Sequence, residues 1–338
     1  MPTPIPIVID TDVGADPDDA IALALACASP ELALLGVTTV DGDVDLRARM
    51  AARLLGMAGR AELPVVRGIS ARGPTMMGLE GRGLLDRDWD GPEATILDAA
   101  APEWLVETSR GTPFHLVAIG PLTNVAAACQ IDPGFAGRLL GLTIMGGVYD
   151  EGALPETWRQ AIREQGLTAW PDYNTLVDPA AALVCARSGA NLTWVTSEVT
   201  HHIPLLRDAR NRLAENRPLG EALVRIIDSW YEGWFRANMI EGDDLSTLPG
   251  DAVSLLHDPL TLASLLPESD RWLTLRTVPL RYAIEDGVFR MHQVPVAGEA
   301  TARVSIAASS DRFAAFCVER ILRHTARTHE PVSELTER

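Results

Sequence analysis

Five aspartates stand within ten residues near the N-terminus: Asp10, Asp12, Asp16, Asp18 and Asp19, in the run V-I-D-T-D-V-G-A-D-P-D-D-A-I-A. Part of this crowding needs no chemistry. Asp16 is a natural N-cap, Pro17 a natural first helical residue, and Asp18 and Asp19 suit the positive end of a helix dipole. Asp10 and Asp12 have no such role. Like charges so close raise one another's pKa and cost stability. A bound hard cation removes the conflict, because carboxylate oxygens are what Ca²⁺ and Mg²⁺ prefer.

Four further short runs fall where strands or helices should break: V-T-T-V-D-G-D at 37–43, A-I-G-P-L-T-N at 118–124, M-G-G at 145–147 and D-Y-N at 172–174. A fifth, H-D-P-L at 257–260, pairs a histidine with an acid. His257 by itself reads as a helix histidine filling space. Pro259 breaks or restarts a helix there and can turn the preceding Asp258 into an N-cap.

The elements that must position these residues alternate. β-branched runs at 5–9, 33–40, 65–69, 114–119, 139–145 and 192–195 read as strands, and 20–28, 46–57, 125–129 and 179–188 as helices. Strand and helix alternating at this spacing predict βαβ units. Residues 95–108 read as a helix interrupted near Pro102, and 204–240 as mostly helix carrying Trp230, Tyr231, Trp234 and Phe235. That aromatic cluster suits a core or a subunit interface. Residues 252–266 read as a helix with His257-Asp258-Pro259 in its middle, and 311–323 as a closing helix. Strands near 272–280, 288–294 and 302–306 alternate as an antiparallel extension would. Stretches 70–92 and 148–173 are irregular, apart from a short amphipathic piece at 156–165. Long loops of this kind are usually lids or binding loops. The expected fold is α/β, a Rossmann-like, mostly parallel central sheet with flanking helices and a small antiparallel extension, in one domain over 1–338. Several strands end in Gly or Asp, so a pocket is expected at one edge of the sheet.

Composition narrows the partners. With 47% hydrophobic and 22% charged residues and a net charge of −17, the chain suits neither non-specific nucleic-acid binding nor an anionic membrane surface. A nucleoside, which carries no phosphate, stays open. No basic leader or membrane-length apolar run is evident. Cys27, Cys129, Cys185 and Cys317 lie far apart, without a CxxC pair, and read as buried thiols in a reducing cytoplasm, not as disulfides or a zinc site.

Taken together and in this order, these runs resemble the nucleoside hydrolase family, the inosine–uridine-preferring nucleoside N-ribohydrolases. The likeness covers residues 5 to about 265. It implies hydrolysis of a ribonucleoside N-glycosidic bond by direct displacement, with one Ca²⁺ holding the attacking water. The matching ligands are Asp12, Asp19, the Ile119 carbonyl and Asp258. Asp12 is also the matching base and His257 the leaving-group acid, with a pKa expected near neutral. Asp18, Asp43, Met145, Asp172 and Asn174 match substrate contacts, Asp18 at the 2′-hydroxyl. The resemblance also favours a homodimer or homotetramer.

The chain departs from the family pattern in places. Asp43 stands where the family usually has Asn: either it or Asp18 is protonated, or Asp43 turns away and caps the following helix. Asp16-Pro17 lengthens the opening motif, Ala153 stands where the 5′-hydroxyl asparagine is expected, and the 70–92 loop has no histidine. A modified nucleoside or another N-riboside therefore competes as substrate, as does a non-catalytic ribose or nucleoside binder that keeps the metal. A Mg²⁺ phosphohydrolase built on Asp10 and Asp12 is disfavoured by Gly14 and by the absence of any lysine.

Overall fold

The computed structural model describes residues 3–73, 76–154, 156–164, 172–215, 217–237, 248–294 and 301–328. Parts of three stretches singled out above lie outside these residues: 74–75 in the first loop, 155 and 165–171 in the second, and 238–240 after the aromatic cluster. The strands are β1 (Ile5–Thr11), β2 (Leu32–Thr39), β3 (Val65–Arg67), β4 (Ile96–Ala100), β5 (His115–Ala118), β6 (Gly141–Met145), β7 (Leu192–Val195), β8 (Pro204–Leu206), β9 (Ala252–Leu255), β10 (Leu273–Glu285), β11 (Val288–Gln293) and β12 (Thr301–Ala308).

Ten of them form one sheet in the order β11-β10-β12-β7-β6-β5-β1-β2-β3-β4. Every pairing from β4 across to β12 is parallel. β10 pairs antiparallel with both β11 and β12, which is the expected extension. β8 and β9 make a separate antiparallel pair. From β1 the chain builds outward through β2, β3 and β4, then returns to the other side of β1 at β5 and builds the opposite way. The reversal makes the crevice between the carboxyl ends of β1 and β5 the topological switch point, where open α/β sheets bind ligands.

The helices needed below are α1 (Asp18–Cys27), α2 (Val44–Met57), α3 (Ala101–Gly111), α4 (Thr123–Ile131), α5 (Phe135–Arg138), α6 (Glu156–Glu164), α7 (Tyr173–Val177), α8 (Pro179–Ala186), α9 (Ser197–Thr200), α10 (Arg207–Leu213), α11 (Leu219–Trp230), α12 (His257–Ala263) and α13 (Ser310–Thr328). Alternation along β1 divides the core. Ile7 and Ile9 face one layer with α1, α2, α11, α12 and α13, while Val8 faces the other with α3, α4 and α8. α1 is apolar on all sides after its first turn and buried along its whole length. Ile21, Leu23 and Leu25 each remove a full aliphatic side chain from water, about 1.5–3 kcal/mol apiece. A helix so enclosed holds its N-terminus still, and that end carries the acids.

Three local expectations are corrected. Residues 96–100 are an edge strand on β3 rather than helix, and α3 begins only at Ala101, with Pro102 in its first turn where the missing N–H costs nothing. Residues 252–255 are likewise strand, paired with β8, so Pro259 sits in the first turn of α12 and interrupts no helix. Asp16 does not cap α1: Pro17 occupies that position, and its carbonyl accepts from Ile21 N at 3.0 Å.

Candidate active site

Two helix starts converge on the switch point. α1 follows directly on the turn after β1, and α12 follows β9, so each brings first-turn acids to the same place. Carboxylate oxygens of Asp18, Asp19 and Asp258 lie within 4.8 Å of one another, and all three residues are buried. Backbone donors fix Asp18: its Oδ1 accepts from Asp19 N at 3.2 Å, and its Oδ2 from Asp258 N at 3.4 Å. The Thr11 hydroxyl donates to Asp19. Burial, followed by the neighbouring aspartates, pushes all three carboxyls well above the usual range.

Asp12 lies beside this group, within electrostatic reach of all three. Burial pushes it up to about 6, against an opposing pull from the Arg47 guanidinium, whose Nη2 is 4.0 Å from Asp12 Oδ2. Gly120, in the G-P-L-T-N turn, is required here: a Cβ would fall 2.9 Å from Asp12 Oδ1 and 2.8 Å from its backbone N. Asp10 is fully buried and pushed up to about 7 by desolvation. It accepts from the Thr38 hydroxyl and from Asn124 Nδ2 at 2.8 Å. Asn124 also donates to Thr39 O at 3.0 Å and accepts from Ile69 N at 2.8 Å, so one amide ties β1, β2 and the turn after β3 together. Asp16 accepts from the Ser254 hydroxyl at 3.3 Å, which joins the lengthened turn to β9.

The other expected residues are placed less uniformly. The Ile119 carbonyl accepts from Asn174 Nδ2 at 2.9 Å, and the same amide donates to Met145 O at 3.2 Å. Ile119, Met145 and Asn174 thus form one contact group at the ends of β5 and β6. Asp172 caps α7, accepting from Thr175 N at 3.3 Å and from the Thr175 hydroxyl. Asp43 caps α2 by accepting from Leu46 N at 3.0 Å, the second of the two alternatives left open above. His257 bonds through Nδ1 to Thr200 Oγ1 at 2.6 Å. Burial pushes its imidazole down to about 4, not the near-neutral value expected.

Several participants escaped the sequence reading. Arg47 is 5% exposed, and its Nε donates to Asp41 O at 2.7 Å. Its spacing with the buried Met50, Ala51 and Leu54 was the available signal. Thr200 and Glu198 gave none. Glu198, pushed up to about 7 by burial, accepts from Tyr149 N and Asp150 N, both at 3.1 Å, and so anchors the turn leading to Ala153. The aromatic cluster also finds its place: Trp230 and Phe235 are buried and pack with Leu79 of the first long loop, which Gly233 admits.

Buried carboxylates gathered at the switch point of a mostly parallel α/β sheet make a site suited to a hard cation. The chain belongs to the inosine-uridine preferring nucleoside hydrolase family, whose model matches residues 7–316. It is 32% identical to the probable uridine nucleosidase 2 of Arabidopsis thaliana over 252 residues, 71% of each chain. It is 33% identical over 274 residues to the pyrimidine-specific ribonucleoside hydrolase RihA of Enterobacter sp. (strain 638), covering 74% of this chain and 77% of that one. Among solved structures it resembles the purine-preferring ribonucleoside hydrolase from Gardnerella vaginalis, with a TM-score of 0.76 and 22% identity over 95% of this chain and 99% of that one. The family is metal-dependent, and the donors here fit a metal: hard carboxylate oxygens in a buried cluster that is short of positive charge. Among the described residues, no helix is long and apolar enough to cross a membrane.

Proposed function

We propose that this enzyme hydrolyses the N-glycosidic bond of ribonucleosides with Ca²⁺ held by Asp12, Asp19, Asp258 and the Ile119 carbonyl, and with Asp18 beside it. The observation that carries this reading is the convergence of Asp18, Asp19 and Asp258 within 4.8 Å at the switch point. Held by those residues, Ca²⁺ would supply Lewis acidity that makes water more acidic and would add affinity for sugar hydroxyls.

The protein groups then divide the work. Asp12, held by Gly120 and faced by Arg47, takes the proton from the attacking water. Water oxygen bonds to C1′ as the C1′–N bond breaks, and the bonding pair leaves with the base. Asp18 accepts from the 2′-hydroxyl, a bond that strengthens as positive charge develops on the ring. Asn174 and Met145 line the sugar beside Ile119, with Asp172 shaping their turn. His257 is neutral at pH 7. In the tautomer whose Nδ1 accepts from the Thr200 hydroxyl, its Nε2–H hydrogen-bonds to the departing base, which then takes its proton from solvent. Asp43, committed to its helix cap, supports the wall instead of touching the ribose.

Four free thiols, three of them buried, support a reducing cytoplasm. The homo-oligomer rests on the family likeness, because Trp230 and Phe235 are spent on the core. The deciding assay measures free base and reducing sugar released from a nucleoside panel, with EDTA and after adding Ca²⁺ back. Hydrolysis indifferent to chelation, or Asp12→Ala and His257→Ala enzymes as active as the parent, would end this reading. Nucleoside binding without base release would make the protein a binder.

A further inference from the structure

Asp41 lies in the V-T-T-V-D-G-D run but has no role assigned above, and three segments meet on its carboxylate. It stands just past β2, its N–H donating to Ile69 O at 3.0 Å and its carbonyl accepting from Arg47 Nε at 2.7 Å. Those contacts hold it in the left-handed region, at φ 60°. Its Oδ2 accepts from the Tyr173 hydroxyl at 3.0 Å and from Arg72 Nη2 at 3.1 Å. Arg72 also donates to Tyr173 Oη at 2.6 Å and lies 5.3 Å over its ring. Tyr173 opens α7 and Arg72 belongs to the first long loop, so the cluster ties the end of β2 to that loop and to the segment after β6.

The two oxygens of Asp41 differ in kind. Oδ2 has two donors, whereas Oδ1 is buried without a hydrogen-bond partner among the described residues. The side chain is 1% exposed, while that of Arg72 is 41% exposed. A buried acceptor left unpaired is a cost that native folds seldom keep outside a functional site. The acceptor also stands beside the catalytic floor, since the charges of Asp41 and Asp12 act on each other and both act on Tyr173.

We propose that Asp41 Oδ1 is a substrate-binding acceptor for an O–H or N–H donor of the nucleoside, and that Arg72 and Tyr173 are positioning residues that aim it. The inference rests on nucleoside hydrolysis as the activity. The donor is either the N–H of the base edge or a ribose hydroxyl. Both offer the same chemistry to a carboxylate, and a site built to pair with such a donor strongly rejects analogues that lack it.

The test pairs substrate changes with protein changes. Asp41→Gly removes the acceptor and suits a positive φ. Tyr173→Phe and Arg72→Met loosen it. Each enzyme is assayed on uridine, N3-methyluridine, 2′-deoxyuridine, 5′-deoxyuridine, inosine and N1-methylinosine. Asp41→Gly should lower kcat/KM at least tenfold on the parent nucleoside, and the one analogue lacking the donor should suffer no further loss in that variant. Coupling to an N-methyl analogue identifies the base edge, and coupling to a deoxy analogue identifies the sugar. Tyr173→Phe and Arg72→Met should each raise KM more than they lower kcat, and should weaken the same discrimination. The rise in Tm on adding Ca²⁺ should be equal in all variants. If every analogue loses as much in Asp41→Gly as in the parent, the acceptor role is wrong. Should that variant fail to fold, an Arg72→Met, Tyr173→Phe double variant with unchanged discrimination overturns the proposal equally. A parent enzyme that releases no base from any nucleoside removes both this proposal and the activity it rests on.

Discussion

The acidic floor and the loop wall above it are held by different means. Asp10, Asp18, Asp19 and Asp258 are all 5% exposed or less, and backbone N–H groups, hydroxyls and the Asn124 amide fix the first three carboxylates. The wall depends on an ion pair whose arginine is 41% exposed, on Leu79 seated against Gly233, and on glycines in the first loop. Gly81 and Gly83 there have φ 79° and 78°, conformations that other residues rarely adopt. Groups buried in a rigid core keep their geometry without a ligand, whereas exposed pairs contribute little stability and yield readily. That contrast fits the proposed division of labour, with chemistry on the floor and selection on the wall.

Substitutions should separate the two. Asp19→Ala removes a proposed metal ligand and should lower kcat/KM by about a thousandfold or more, with loss of the Ca²⁺-dependent rise in Tm. Equal activity in calorimetrically metal-free enzyme would erase the distinction between floor and wall. His257→Ala should cost roughly a hundredfold or more in kcat, as the loss of a hydrogen-bond donor at the departing base does. The loss should shrink with nucleosides whose bases leave readily, as steady-state rates across such a series will reveal. Asp10→Asn should weaken Ca²⁺ binding by about 10–100-fold in isothermal titration, because Asp10 supports the turn from behind. On the wall, Leu79→Ala should change kcat/KM by less than about tenfold, corresponding to about 1.4 kcal/mol. A larger loss in stopped-time assays would move that loop onto the floor.

Charge crowding supplies a further contrast, read through pH. Burial raises Asp10 to about 7 and Asp12 to about 6, above the values near 4 of an unfolded chain. Such groups stabilise the fold fully below the unfolded pKa, and that stability is lost as pH rises through the folded values. Chelated protein should therefore lose Tm by several degrees between pH 5 and pH 8. Added Ca²⁺ should restore more at pH 8 than at pH 5, since it favours the ionised carboxylates. A chelated enzyme whose Tm climbs over that interval would show that the floor is not short of positive charge.

Legibility followed the same division. The strands of the central sheet were readable because a buried parallel strand is a short β-branched run, and β1, β2, β5, β6 and β7 are such runs. Two segments were misread for want of a long-range partner. Residues 96–100 become strand only because β3 offers them an edge, and 252–255 only because β8 does. Among site residues, Asp12, Asp18, Asp19 and Asp258 were visible as acids at element breaks. Asp43 was ambiguous because a helix cap and a sugar contact use the same residue type. Asp41 was passed over because nothing local distinguishes one aspartate of a D-G-D turn from the other.

By itself the sequence determined the family, the α/β architecture and the acidic turn at 10–19, because all three depend on residue type and local spacing. The family resemblance grouped Asp12, Asp19 and Asp258, but only tertiary structure decided how the acids are arranged and which partners they have. It set Asp258 against Asp18 and Asp19, placed Arg47 under Asp12, turned Asp43 to its helix, and left one oxygen of Asp41 buried and unpaired. Those outcomes depend on where distant elements cross and on which donors are already engaged, and neither is encoded within a few residues of the group concerned.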